Sequence, residues 1–192
     1  ALLPHLSHAK KRIQLDHWNL QQVLQHQPSL LEKYPSRPPQ ILLGLGEWLW
    51  LSQKARSQLL TQLQHQEWVK HIIFAVSYHD LITHWSKVQL AAPEIKASNL
   101  NIAIDEVMLD SPRLMEFLPL FNCVMVRLER EIGEQIAHSE AIPPALNQLL
   151  TKLRQLNIAV IVDGITDIAS MNRLSGTDAS YLHGSILERL SQ

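Results

Sequence analysis

Residues Asn99–Arg130, NLNIAIDEVMLDSPRLMEFLPLFNCVMVRLER, decide how this chain is read. The stretch predicts a buried strand near Leu100–Glu106 that ends in two adjacent acids, Asp105 and Glu106. A helical segment follows, then a second buried strand near Cys123–Glu129 that carries Arg127 and Glu129. Acids at the carboxyl end of one strand, with a basic and an acidic residue on the next, point to a site at the mouth of an α/β barrel, because such barrels build their sites on that face.

The same alternation continues outward in both directions. Upstream, Ala1–Tyr34 has a helical pattern, with Asp16 as N-cap, Trp18 on a packed face and an interruption at Pro28. Gln40–Gly46 is a short apolar strand, and Ser52 caps a helix whose Ala55, Leu59 and Leu63 share a face. His71–Ser77 is the next strand, and Leu81, Ile82, Trp85 and Val88 lie in a helical region that Pro93 kinks or restarts.

Downstream, Glu131–His138 reads as a helical turn. Pro143 and Pro144 open a helix with an apolar stripe of Leu146, Leu149, Leu150 and Leu153. Ile158–Asp163 is a fully apolar strand of the parallel-sheet kind. A helix around Asp167–Leu174, a strand at Ala179–His183 and a closing helix with Ile186, Leu187 and Leu190 complete the chain. A helix followed by six strand–helix units argues a parallel α/β sheet or barrel, whereas a closed barrel normally takes eight strands. The expected fold class is α/β, a TIM-barrel-like fold with six strand–helix units in an incomplete or open barrel, as a single domain over residues 1–192.

Composition narrows the function classes. Hydrophobic residues at 46% and charged residues at 18% fit a globular protein with a real core. A formal net charge of -1 gives no electrostatic reason to bind nucleic acid. The run Lys10, Lys11 and Arg12 reads as a solvated helix face. The single cysteine, Cys123, sits in an apolar run, as a buried inert thiol does. No apolar run reaches the ~18 residues of a membrane span, and the amino terminus lacks a signal-peptide pattern. A cytoplasmic chain without membrane insertion is expected. Because it starts at Ala1 rather than Met, it is expected to be cut from a longer polypeptide.

The strand ends carry Gly44, Ala75 with Ser77, Asp105 with Glu106, Arg127 with Glu129, Asp163, and His183. Acids and an arginine in such a set suit a divalent metal or a phosphate, with oxygen ligands favouring Mg²⁺ or Mn²⁺. The plainer reading makes them solvated polar ends of buried strands, with Arg127 paired to an acid. The ten histidines do not fall into a zinc pattern: His79 and His84 are five apart, His5 and His8 three apart, without flanking ligands. In GEWLWL, alternation sets Trp48 and Trp50 opposite Glu47, Leu49 and Leu51, which marks the two tryptophans as a candidate interface.

Taken in order, these segments resemble the EAL-type domain, the family of cyclic di-GMP phosphodiesterases and their inactive relatives. LDHWNLQQVL at Leu15–Leu24 resembles the family's LDRWVLEQAL helix. ILLGLGEWLW at Ile41–Trp50 falls where the family has a strand ending in Asn-Leu-Ser, and IIFAVSYHD at Ile72–Asp80 on its Glu-Ile-Thr-Glu strand. IAIDEV at Ile102–Val107 resembles Leu-Asp-Asp-Phe-Gly, and VRLE at Val126–Glu129 resembles Lys-Ile-Asp. IVDGITD at Ile161–Asp167 resembles Ala-Glu-Gly-Val-Glu, and YLHGS at Tyr181–Ser185 resembles Val-Gln-Gly-Tyr.

The resemblance implies a metal site built from the Asn, the Glu of the next strand, the first Asp of the pair and the signature Glu. Here Gly44 stands at the Asn and Ala75 at the Glu. Asp105 is retained, Glu106 replaces the second Asp, and Arg127 replaces the catalytic lysine. Asp163 stands for the next Glu, and His183 for the Gln that contacts the nucleotide. The signature Glu-Ala-Leu strand and the one before it are expected upstream of Ala1. Arginine stays charged and does not exchange protons near neutral pH. The resemblance so altered implies no cofactor and no hydrolysis. The expected role is a signalling or interaction module of a bacterial regulator, acting through a protein partner or self-association. The alternative is a non-hydrolysing cyclic di-GMP receptor with residual contacts from Asp105, Glu106, Arg127, Asp163 and His183. A third reading is an active phosphodiesterase with rearranged ligands.

Overall fold

Apolar runs form the strands, and the segments between them form helices. The computed structural model of the chain describes residues 9–34, 36, 38–64 and 66–190. In order, α1 is Ala9–Lys33, β1 Ile41–Leu45, α2 Trp48–Leu51, α3 Gln53–Leu63, β2 Ile72–Ser77, α4 Tyr78–Thr83, α5 Trp85–Ala97 and β3 Asn101–Val107. Then come α6 Leu114–Phe117, β4 Asn122–Leu128, α7 Arg130–Ala137, α8 Pro144–Gln155, β5 Ala159–Val162, α9 Ile168–Ser175, β6 Tyr181–Leu182 and α10 Ser185–Leu190. Every expected strand is present, within a few residues of its expected ends. The chain divides into two compact units interleaved in sequence: Ala1–Val76, Asp80–Ile102 and Leu120–Asn122 in the first, Ser77–His79, Ala103–Pro119 and Cys123–Gln192 in the second.

In the first unit β1 pairs with β2 in parallel, Ile41 opposite Ile72 and Gly44 opposite Ala75. Strand β2 is buried along Ile72–Val76, whereas β1 alternates, with Leu43 and Leu45 inside and Leu42 and Gly44 exposed. Ser52 caps α3 as its position predicts, accepting a hydrogen bond from the Ala55 amide. Leu59 and Leu63 then bury the helix face toward the core, each contributing roughly 1.5–3 kcal/mol. Arg56 is buried in the same helix, and its charge is matched: Nε donates to Glu94 Oε2 at 2.7 Å and Nη1 to the Leu49 carbonyl at 3.0 Å. Pro93 lies inside α5, on an exposed position, where it brings no amide to the helix ladder. Asn99, at φ 55°, ends that helix in the left-handed region that asparagine tolerates.

Four expectations in this unit are corrected. Asp16 is not an N-cap: it lies within α1, which also runs through Pro28, and its carboxylate accepts from the Gly46 amide at 2.8 Å and Trp48 Nε1 at 2.5 Å. Trp18 is 59% exposed rather than packed. The alternation read into GEWLWL is absent, because Trp48–Leu51 turns as a helix. That turn brings Trp48, Leu49 and Trp50 all inside.

In the second unit the strands follow the order β3-β4-β5-β6. β4 and β5 are parallel, with Arg127 opposite Ile161, and β6 continues the pattern with Tyr181 opposite Ile161. Helix α8 presents Leu146, Leu150 and Leu153 to the core, with Leu149 at the margin. Asp167 caps α9, accepting from the amide and hydroxyl of Ser170. Backbones approach closely at Gly133 on α7: a Cβ there would lie 1.9 Å from the Asp163 carbonyl oxygen. Cys123 is part-buried rather than buried, and desolvation pushes its thiol up to about 11, which favours the protonated form.

Candidate functional site

The second unit gathers its charges at the carboxyl ends of consecutive strands. Asp105 near the end of β3 and Arg127 on β4 meet as a fork: Arg127 Nε donates to Asp105 Oδ1 and Nη2 to Oδ2, each at 2.5 Å. Such a planar, bidentate pair is the geometry arginine forms and lysine does not. The Asp105 hydrogen bonds raise the Arg127 pKa further, against the opposing effect of burial, with the charges of Asp163 and Glu106 adding to the rise.

Asp163, just past β5, accepts from the Gly164 amide at 2.6 Å and from His183 Nδ1 at 2.8 Å. Burial alone would raise its pKa. The bonds from His183 and Gly164, with the charges of His183 and Arg127, outweigh that and hold it below the ordinary carboxylate range. His183, past β6, is more than half exposed and turns its other ring nitrogen toward Glu188 Oε1 at 4.0 Å. Arg127 is thus forked onto Asp105, and His183 is hydrogen-bonded to Asp163, whose charge also acts on Arg127.

Glu106 adopts φ 58°, a left-handed conformation unusual for a residue with a side chain. Its amide is held by Asp105 Oδ1 at 2.9 Å and its carboxylate by Ser77 Oγ at 2.7 Å. Asp105, Glu106, Arg127 and Asp163, with Leu128, Glu129, Arg130 and Glu131, line a cavity of about 310 Å³. The lining carries five acids and two arginines, a net charge of 2 − 5 = −3 with all ionised. Desolvation and the neighbouring Glu131, Glu106 and Asp110 raise the pKa of Glu129, as a negative field does.

The first unit offers nothing comparable at its strand ends. Gly44 and Ala75 sit side by side across the β1/β2 ladder and supply no side-chain donor. A Cβ on Gly44 would meet nothing within 4 Å. Trp48 and Trp50, the candidate interface, are 2% and 3% exposed. They are core residues, Trp48 stacked on His17 and Trp50 tilted against Phe121, with ring centroids 5.7 and 5.6 Å apart. Their burial removes the observation that marked them as a contact surface.

Sequence reasoning passed over a second group in this unit, Glu47, Asp80 and His84, whose ligand-type atoms lie within 4.8 Å of one another. The legible signal was Asp80 and His84 at helical i, i+4 spacing.

The sequence pattern of the EAL domain matches residues 1–189. The chain belongs to the EAL domain family. No curated protein matches it in sequence. Among solved structures, it resembles the Xanthomonas citri FimX EAL domain in complex with cyclic di-GMP at TM-score 0.75 and 14% identity, over 95% of this chain and 71% of that one. The Pseudomonas aeruginosa FimX EAL domain bound to cyclic di-GMP gives 0.72 and 14%, over 95% and 72%. The MucR phosphodiesterase in complex with cyclic di-GMP gives 0.74 and 16%, over 95% and 73%. At these identities the likeness establishes the shared fold, and the expected α/β, TIM-barrel-like class holds. Among the described residues of this EAL domain, no helix is long and apolar enough to cross a membrane.

A divalent ion of the Mg²⁺ or Mn²⁺ kind calls for oxygen donors, and the positions that the resemblance implies as its ligands supply few. Gly44 and Ala75 have none, and both oxygens of Asp105 are occupied by Arg127. A hard cation bound here would keep a mostly aqueous shell.

Proposed function

We propose that this EAL domain does not hydrolyse cyclic di-GMP and serves as a cytoplasmic signalling or interaction module of a bacterial regulator, acting through protein contacts. The observation that carries the reading is the fork of Arg127 on Asp105. It takes the one acid that matches the family's metal ligands and turns it into a structural ion pair. Releasing Asp105 for a metal strips a partly buried arginine of its bidentate partner, a cost that the incoming cation must offset. Support for an interaction role comes from the sheet edges. Strand β1 has β2 as its one hydrogen-bonded neighbour among the described residues, and ILLGL carries no charge to discourage pairing.

Retention of cyclic di-GMP as a ligand is the second reading. It is favoured by a cavity containing Arg127 and Arg130 and by the cyclic di-GMP complexes of the solved relatives. Against it stands the excess of acids in that cavity, since the dinucleotide brings two phosphodiester charges of the same sign.

Calorimetric titration with cyclic di-GMP, with and without Mn²⁺, paired with a turnover assay, separates the readings. Silence in both is the expected result. Turnover overturns the proposal, and micromolar binding without turnover transfers it to the receptor reading. Sedimentation should show self-association or an elongated contact species, and a monodisperse monomer removes self-pairing at β1 from the reading.

A further inference from the structure

We propose that Glu47, Asp80 and His84 form a binding site for one divalent transition-metal ion of the Zn²⁺ or Co²⁺ type. All three belong to the first unit, whereas the acid–arginine series belongs to the second. Two carboxylate oxygens and one imidazole nitrogen come together within 4.8 Å, all partly buried.

The backbone fixes the arrangement. The His84 amide donates to the Asp80 carbonyl at 3.0 Å, closing a helical turn that places the two side chains on one face. Glu47 approaches from the turn after β1, and His84 Nε2 lies 2.9 Å from its Oε2. Its other oxygen, Oε1, faces the exposed Arg12 at 3.6 Å and leaves Oε2 to the cluster.

The residue types are informative because of where they sit. Glu47 precedes α2 and His84 precedes α5, both at N-cap positions, and neither side chain makes a capping hydrogen bond. Serine, threonine, aspartate or asparagine would serve those helix ends better. Both side chains instead turn toward one another and toward Asp80.

The spacing suits coordination. Donors about 2.0–2.1 Å from a tetrahedral ion lie roughly 3.3 Å from one another. The Glu47–His84 pair is already near that distance, and Asp80 has about 1.5 Å to close at most, within the reach of a side-chain rotation. Three protein ligands leave a fourth position for water. An imidazole nitrogen beside two carboxylates selects Zn²⁺ or Co²⁺ over Mg²⁺, which demands an octahedron of oxygens. The donors lie three, five and nine residues beyond Gly44 and Ala75, on the segments that follow β1 and β2. Metal binding is thereby moved from the strand ends to the adjoining helices, with a different ion preference. The inference does not depend on whether the domain hydrolyses a nucleotide.

The test uses the full chain, stripped with a chelator and titrated with Co²⁺ and then Zn²⁺. One saturable equivalent with visible d–d absorption, displaced by Zn²⁺, is expected. Glu47→Gln and His84→Gln should each abolish that equivalent while metal-free circular dichroism stays unchanged. His183→Ala, which removes the histidine–carboxylate pair of the other unit, should leave it intact. If His84→Gln fails to fold, Asp80→Asn takes its place. Absence of a stoichiometric site in the wild type overturns the proposal. So does an equivalent that survives both Glu47→Gln and His84→Gln, because the metal is then held by others of the ten histidines.

Discussion

The strand ends of the two units carry opposite lessons about glycine and charge. In the first unit, Gly44 borders open space and Ala75 beside it is buried and neutral. In the second, Gly133 presses against a carbonyl, and Asp105, Arg127, Asp163 and His183 satisfy one another. A polar side chain held by fold-internal partners has a structural reason to be where it is, whether or not it meets a ligand. One whose task was ligand binding alone has none, and small residues can stand there without disturbing the sheet.

The sharpest way to break this contrast is a single methyl group. Gly133→Ala places a Cβ 1.9 Å from the Asp163 carbonyl oxygen, so α7 and the loop after β5 must separate. A loss of about 3 kcal/mol is expected, read from the urea midpoint. Arg127→Ala should cost about 2 kcal/mol, because Asp105 loses its bidentate partner in a site where only a small part of it reaches water. A loss below the scatter of surface substitutions would mean the fork is incidental.

Asp163→Asn has a smaller effect with a distinctive pH signature. The folded-state pKa of Asp163 lies below its ordinary value, so its contribution is fully present above the unfolded-state value, near 3.9, and disappears as pH falls through the lowered folded value. A difference of about 1 kcal/mol from wild type at pH 7 should therefore close in strongly acidic solution. Parallel stability curves down to that range would remove the pair from the account. Gly44→Ala completes the comparison with the opposite sign: nothing obstructs the new methyl, and a gain of roughly 0.5 kcal/mol is expected from the chain entropy of the unfolded state.

Much of this architecture was legible because strand and helix periods leave direct marks. The apolar runs of β2 and β5, the Ser52 cap and the stripe on α8 all read correctly from residue type and spacing. The segment from Asn99 to Arg130 also identified the residues that meet as a fork, and its plainer reading, Arg127 paired to an acid, is the arrangement observed. Three features were beyond reach for physical reasons. Four residues such as Trp48–Leu51 form a single helical turn, too short for its period to differ from alternation. Asp16 finds its partners 30 and 32 residues away, and local patterns carry no record of such contacts. The Glu47, Asp80 and His84 group combines two segments, and only its i, i+4 half was visible.

The hold of Asp16 on Gly46 and Trp48 has a consequence for how the molecule opens. Along α1, Leu20 is the one fully buried side chain among the described residues. Among the described residues it is also held by the Asp16 carboxylate, by His17 stacked against Trp48 and by Arg12 facing Glu47, with Ile13, Leu15, Val23 and Leu24 only half-buried. An element retained by so few anchors can release as a body at a free energy well below that of global unfolding. Amide hydrogens of α1 should then exchange together and early while those of β2 stay protected, and Asp16→Asn should advance α1 alone.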